Sequence, residues 1–161
     1  ISTQLAMVRW WAGDLDGAER AVASTRLSQW GVALQLIGER PWLGWGAAAF
    51  SVLYPLRTGK WHGHAHNLPL ELAVSHGLPV ALAVIGLVLA LLITSLRLGL
   101  RGLFERAWWA AVLILVVLHG TDMPFFDSRL NIAGWILLAG LRCQIRSGRE
   151  PAGDAPAASP G

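Results

Sequence analysis

The sequence predicts an all-α fold, a polytopic helical membrane protein fragment with about three transmembrane helices after a periplasmic loop region. Three observations carry this expectation. Leu78 to Leu96 (LPVALAVIGLVLALLITSL) contains no charged residue. At about 1.5 Å per residue it reaches roughly 28 Å, close to the ~30 Å hydrocarbon core of a bilayer. The chain is 54% hydrophobic and only 14% charged, whereas soluble domains average about 25% charged residues; much of its surface is therefore made to face something other than water. It also carries nine Trp in 161 residues, a side chain that concentrates where apolar and wet surroundings meet.

In chain order, residues 1–77 read as a periplasmic loop region with short helices. Gln4 to Trp11 is amphipathic and Asp14 to Arg20 is polar. Ser24 or Thr25 can cap a helix that starts near Arg26, runs through Trp30, Ala33, Leu34 and Ile37, and stops at Pro41. The loop PWLGWGAAAF follows, with Gly44 and Gly46 free to take backbone conformations closed to other residues. Residues 78–142 then hold the three predicted spans, at 78–96, about 104–119 and about 125–142. The second and third have short apolar cores, Ala107 to Leu118 and Leu130 to Leu141, and on length alone a soluble core helix is the alternative.

Charge favours spans. Arg97, Arg101 and Arg106 follow the first run, and Arg142, Arg146 and Arg149 follow the third, whereas the turn at 119–129 has Asp122 and Asp127 against Arg129. Positive residues accumulate on the cytoplasmic side, so residues before 78 and the turn at 119–129 are expected outside. Residues 143–161, ending in EPAGDAPAASPG, read as a disordered cytoplasmic tail. With no initiating Met and no signal-peptide pattern, the chain reads as the C-terminal part of a longer membrane protein.

Several functions are disfavoured. The net charge is +3 although the pI is near 10, and no dense basic stripe marks a nucleic-acid surface. Cys143 stands alone, which excludes an intrachain disulfide, and reads as a small buried apolar residue at a helix end. No internal repeat is visible.

The segment Trp61 to Glu71, WHGHAHNLPLE, carries the densest chemistry. On a strand His62, His64 and His66 would share a face; on a helix only His62 and His66 would. A zinc site with Glu71 as a further ligand is one reading, although no metalloenzyme spacing is met. Catalysis by a His is the other, since a neutral imidazole is a base at ambient pH. Arg26, Arg40 and Arg57 are the candidate anion clamps; Arg40 also suits a helix C-terminus. Asn67 reads as a cap for the helix leading into the membrane or a substrate contact. Trp30, Trp42, Trp45 and Trp61 suit sugar stacking or interfacial anchoring. His119 and Asp122, at an outer helix end, are further candidates to touch a donor.

Three motifs in order resemble the O-antigen ligase and polymerase family: R-L-S-Q-W at 26–30, ERPWLGWGAAAF at 39–50 and HAHNLPLELAVSHGLP at 64–79. The resemblance lies in an Arg separated by three residues from a Trp, a P-x-x-G-x-G-x-x-x-F stretch, and His-Asn with nine residues before Gly77. The turn HGTDMPFFDSRLN resembles a late outer turn of the same family. The resemblance spans roughly residues 20–142. It implies an enzyme of the bacterial inner membrane, active on the periplasmic face. The implied reaction moves a glycan from a polyprenyl-diphosphate carrier to an acceptor hydroxyl on a lipid A core, another glycan or a protein, without a metal or other cofactor. By the same resemblance Arg26 contacts the diphosphate and His66 serves as base or orients the acceptor. Arg40, His64, Asn67 and Arg57 are the further substrate-binding candidates. Family members have about ten to fourteen membrane helices, so these residues are expected to be inactive alone. A polytopic transporter of the inorganic-carbon type and a metal-binding membrane protein are the competing readings. The first suffers from the absence of any ionisable group in 78–96.

Overall fold

The computed structural model describes residues 17–98, 100 and 102–147, with side chains from residue 25 onward except Phe125; the stretch Gln4 to Trp11 and the tail from 148 lie outside these. All regular structure among the described residues is helical. The order is α1 (Gly17–Glu39), α2 (Ala49–Thr58), α3 (Leu68–His76), α4 (Leu78–Arg97), α5 (Leu103–His119), a 3-10 turn (Pro124–Phe126) and α6 (Ser128–Ser147).

α1 departs from its expected start. It is already helical at Gly17, so positions 24 and 25 lie inside the helix and its start is not at Arg26. The stretch AERAVA is built of good helix formers, and their summed propensity outweighs one Ser and one Thr. The stop is as expected, because the residue before Pro41 is pushed out of the α region. On one face α1 buries Gln29, Ala33, Leu36 and Ile37, spaced three and four apart as one helical stripe requires. They meet Phe50 and Tyr54 of α2, Ala65 of the His segment, Ala73 and Val74 of α3, and Ala81 in the first turn of α4.

The Gly-rich loop between α1 and α2 docks on the α3–α4 junction. The Leu78 N–H donates to the Pro41 carbonyl at 2.7 Å, Trp45 N–H to Val74 at 2.8 Å and Gly46 N–H to Ser75 at 2.9 Å. That approach leaves no room for a side chain. A Cβ on Gly44 (φ 65°) would sit 2.6 Å from the Val74 carbonyl oxygen, and one on Gly77 (φ 83°) would collide with the Trp42 carbonyl. The glycines at 44 and 77 are thus two halves of one backbone contact, and both need the left-handed φ that glycine alone takes without strain. Gly77 also breaks the helix that Asn67 begins: α3 stops at His76 and α4 restarts at Leu78 with Pro79 in its first turn.

The other three helices pack around Leu92, Val112 and Leu141. Trp108 donates its indole N–H to the Leu137 carbonyl at 2.8 Å and Trp109 to Leu92 at 3.0 Å, so neither buried polar atom is left unpaired. Of the described helices α4 alone is long and apolar enough to cross a membrane, and only 17% of its apolar window is buried. A core helix of a soluble protein would be mostly covered; this one turns Leu82, Leu87 and Leu96 outward. α5 is shorter at 17 residues, and α6 matches α4 in length at 20 but is less apolar. α6 begins at Ser128, capped by Asp127, whose Oδ1 accepts the Arg129 N–H at 2.9 Å. It continues through Ser147, so residues 143–147 are helix where a disordered tail was expected. Cys143 is exposed on it rather than buried.

Candidate active site

The site is assembled at the C-terminal end of α5, where the last carbonyls of a helix lack intrahelical donors and carry partial negative charge. Two side chains donate to carbonyls at and just past that end, Gly120 at the cap and Thr121 one residue beyond it. Arg26 Nη1 donates to the Thr121 carbonyl at 2.7 Å, and Asn67 Nδ2 donates to the Gly120 carbonyl at 2.6 Å. Asn67 does this while capping α3, its Oδ1 accepting the Leu70 N–H at 2.9 Å. The helix it caps is therefore the short α3 rather than α4. The Arg-x-x-x-Trp spacing is explained by one helical turn. Arg26 and Trp30 lie on the same face of α1, and Trp30 Nε1 donates to the Ala65 carbonyl at 3.0 Å. α1 thus grips the α5 turn with one residue and the His segment with the next.

Between those grips His66 Nδ1 stands 3.0 Å from Asp122 Oδ1, and Arg26 Nη1 lies 3.7 Å from the same oxygen. An ionised carboxylate only accepts, so the His66 Nδ1 carries the proton and its Nε2 presents a lone pair. Burial pushes the His66 pKa below its usual value; the bond to Asp122 opposes that without reversing it. Burial raises Asp122, but the bond from His66, the Met123 N–H and the Arg26 charge together hold its carboxyl below the usual range. Burial also lowers Arg26, against the pull of Asp122. At neutral pH the arrangement is therefore a neutral imidazole base, an anionic carboxylate that fixes its tautomer, and a guanidinium beside both. Arg26 still has the N–H donors on Nε and Nη2.

The backbone beneath His66 is held in an uncommon shape. His66 has φ 51°, in the left-handed region that non-glycine residues seldom adopt. Its own N–H is accepted by His64 Nδ1 at 3.3 Å. The preceding residue, Ala65, is wholly buried; its N–H is accepted by Glu71 Oε2 at 2.9 Å, and its carbonyl is the one Trp30 holds. Burial pushes the Glu71 carboxyl up, opposed by the Ala65 N–H. Strain of this kind persists where the surroundings over-determine it, and it clusters at functional sites.

The other candidates lie elsewhere. His62 meets Tyr54 edge-on, ring centroids 5.3 Å apart. With His62 on Tyr54 and Glu71 on the Ala65 backbone, the residues considered for zinc do not converge, and no group of three metal-binding side chains forms among the described residues. Arg40 lies over the Trp45 ring at 4.1 Å, and Arg57 pairs with Glu39 at 2.6 Å. Arg40 follows the last residue of α1, and Arg57 of α2 is tied to that end through Glu39; the end lies roughly 20 Å along the helix from Arg26 at 1.5 Å per residue. The structure brings Arg26, His64, His66 and Asn67 together and leaves Arg40 and Arg57 apart. Of the tryptophans, Trp30 and Trp45 spend their indole N–H on the Ala65 and Leu36 carbonyls, while Trp42 and Trp61 are exposed. The pairing of Asp122 with His66 is the feature that sequence reasoning did not foresee. The available signal was an acidic residue in a turn of the opposite charge bias to its neighbours.

The fold and the site together define an all-α protein with one strongly apolar helix and a His–Asp pair beside an Arg at one end of its helical bundle. Residues 3–85 match the O-antigen ligase family, just over half of the chain, and the chain belongs to that family. No curated protein and no solved structure matches it. The matched residues include Arg26, the Gly-rich loop, His64, His66, Asn67 and Gly77 but not Asp122, which the fold delivers from outside them.

Proposed function

We propose that these residues form the catalytic end of a glycosyltransferase that moves a glycan from a polyprenyl-diphosphate carrier to an acceptor hydroxyl at the periplasmic face of the inner membrane. The observation that supports this best is the 3.0 Å contact between His66 Nδ1 and Asp122 Oδ1, with Arg26 against the same carboxylate. In the proposed step the acceptor oxygen bonds to the anomeric carbon of the glycan. The bond from that carbon to the diphosphate oxygen breaks, and its electron pair leaves with the diphosphate. The acceptor proton passes to His66 Nε2, the lone-pair nitrogen that the Asp122 contact exposes. Negative charge grows on the leaving diphosphate, where the remaining guanidinium donors of Arg26 meet it in a fork that matches phosphate oxygens. Asn67 orients the segment through its two backbone bonds, and Arg40 and Arg57 are reserved for more distant parts of the substrate. A lipid A core, a second glycan or a protein hydroxyl all satisfy the chemistry of the acceptor.

The pH dependence tests the pair. Transfer needs neutral His66, and burial keeps its pKa below the usual value, so activity should persist as pH falls through about 6.5 and fail only below it. Asp122 raises the His66 pKa. Asp122→Asn should therefore move the acid limb of the rate profile further down while lowering the rate by roughly 10²-fold, because the tautomer is no longer fixed. An unchanged profile measured on reconstituted full-length protein would remove Asp122 from the mechanism.

The same reading places α4, α5 and α6 across the membrane, with α1 to α3 and the 119–129 turn outside. Support comes from the exposed apolar face of α4 and from the Arg residues at the opposite end of the three helices. In protein carrying Cys143→Ser and Lys60→Cys, an impermeant maleimide added to intact spheroplasts is expected to label position 60. Labelling only after the membrane is broken would reverse the topology.

A further inference from the structure

His64 and His66 lie with ring centroids 4.1 Å apart, yet their hydrogen bonds impose opposite tautomers. His64 Nδ1 accepts the His66 backbone N–H, so that nitrogen carries the lone pair and the proton of the neutral ring sits on Nε2. The ring is also fixed from outside: Phe126 of the 3-10 turn stacks on it at 5.1 Å and 23°. Burial first, then neighbouring His66, lowers the His64 pKa to about 4, so it remains uncharged wherever the enzyme works. No described residue takes the Nε2–H.

We propose that His64 is a substrate-contacting residue whose Nε2–H donates to an acceptor oxygen adjacent to the hydroxyl that His66 deprotonates. This rests on the reading of His66 as the base. The acceptor is favoured over the diphosphate on two grounds. The ring lies against His66, which must itself touch the acceptor, so the two rings serve one molecule, one taking a proton and the other giving a hydrogen bond. The carrier's charge, by contrast, is matched by the guanidinium of Arg26, and an anion against His64 would favour the protonated ring that burial disfavours.

Two amide substitutions separate this role from support of the loop. In His64→Asn the side-chain oxygen falls near the place of Nδ1 and keeps an acceptor for the His66 N–H, but nothing reaches the place of Nε2. In His64→Gln the side-chain NH₂ falls near the place of Nε2, and the Nδ1 acceptor is lost. Steady-state transfer is measured with reconstituted full-length protein, a polyprenyl-diphosphate-linked glycan and a glycan acceptor. His64→Asn is expected to raise the acceptor KM about tenfold, the worth of one neutral hydrogen bond, with kcat and the donor KM within about threefold. His64→Gln should bring the acceptor KM back to within about threefold of wild type. The opposite order, Asn near wild type and Gln as impaired as His64→Ala, overturns the inference and leaves His64 a loop support. Ring ¹⁵N shifts of His64 in proteoliposomes give a readout free of turnover: a proton on Nδ1 at neutral pH also overturns it. If His66→Ala keeps its activity, the base assignment fails first, and that outcome is distinct from both.

Discussion

His66→Ala will lower glycan transfer by about 10²–10⁴-fold, the usual contribution of a positioned general base, while the affinity for the lipid-linked donor stays within a few fold. The split follows from the division of labour. In the proposed mechanism His66 Nε2 is left for the acceptor because Asp122 occupies Nδ1, whereas the diphosphate is assigned to Arg26. His62→Ala should cost less than about threefold, since His62 packs edge-on against Tyr54 and makes no hydrogen bond to His66 or Asp122 among the described contacts. EDTA should change neither variant nor the wild type. The measurement is transfer by reconstituted full-length enzyme, alongside donor binding to the same preparations. Equal losses in the two His variants, together with inhibition by EDTA and rescue by zinc, would replace the base with a metal site.

The second large effect is expected from a substitution that keeps the charge. Arg26→Lys should reduce transfer roughly 10²-fold, in the range found when one preorganised donor to a developing anion is removed. Arg26 makes two demands at once. One nitrogen closes the end of α5 through the Thr121 carbonyl at 2.7 Å, and the others must still fork onto phosphate. A lysine ammonium is a point charge and cannot do both from one position. Expression and thermal stability should be checked first, because the α5 contact also ties α1 to the bundle. A Lys variant that transfers at near the wild-type rate with normal expression would mean that Arg26 has no diphosphate contact.

The helices were largely legible in the sequence because their causes are local. The uncharged run from Leu78 and the stop before Pro41 each depend on a few neighbouring residues, whereas the break at Gly77, which makes α3 a helix separate from α4, was not expected. The start of α1 was misread because a Ser-Thr pair was given more weight than the run of good helix formers before it. In the site, Arg26, His66 and Asn67 announced themselves by residue type and motif. Their partners did not. Asp122 lies 56 residues from His66, and Thr121 lies 95 residues from Arg26; no periodicity encodes such pairings, which arise only when α5 returns beside α3. The roles of Trp30 and Glu71 were hidden for a related reason. Both act on the backbone of Ala65, and an alanine offers no side-chain signal of its own.

Synthesis order gives the turn at Gly120 to Asp122 a further significance. The apolar core that joins α1, α2, α3 and the start of α4 is complete within residues 33–81, so it can consolidate as soon as α4 has left the ribosome. His66 and Asp122 cannot meet until the turn after α5 has been made and folded back, a closure over more than fifty residues whose entropy is offset only at the end. Tertiary structure thus precedes catalytic competence during biogenesis. On the proposed mechanism, a nascent chain halted after α4 would hold the Arg26 and His66 frame without the carboxylate that fixes the base, and so would be silent toward a lipid-linked donor.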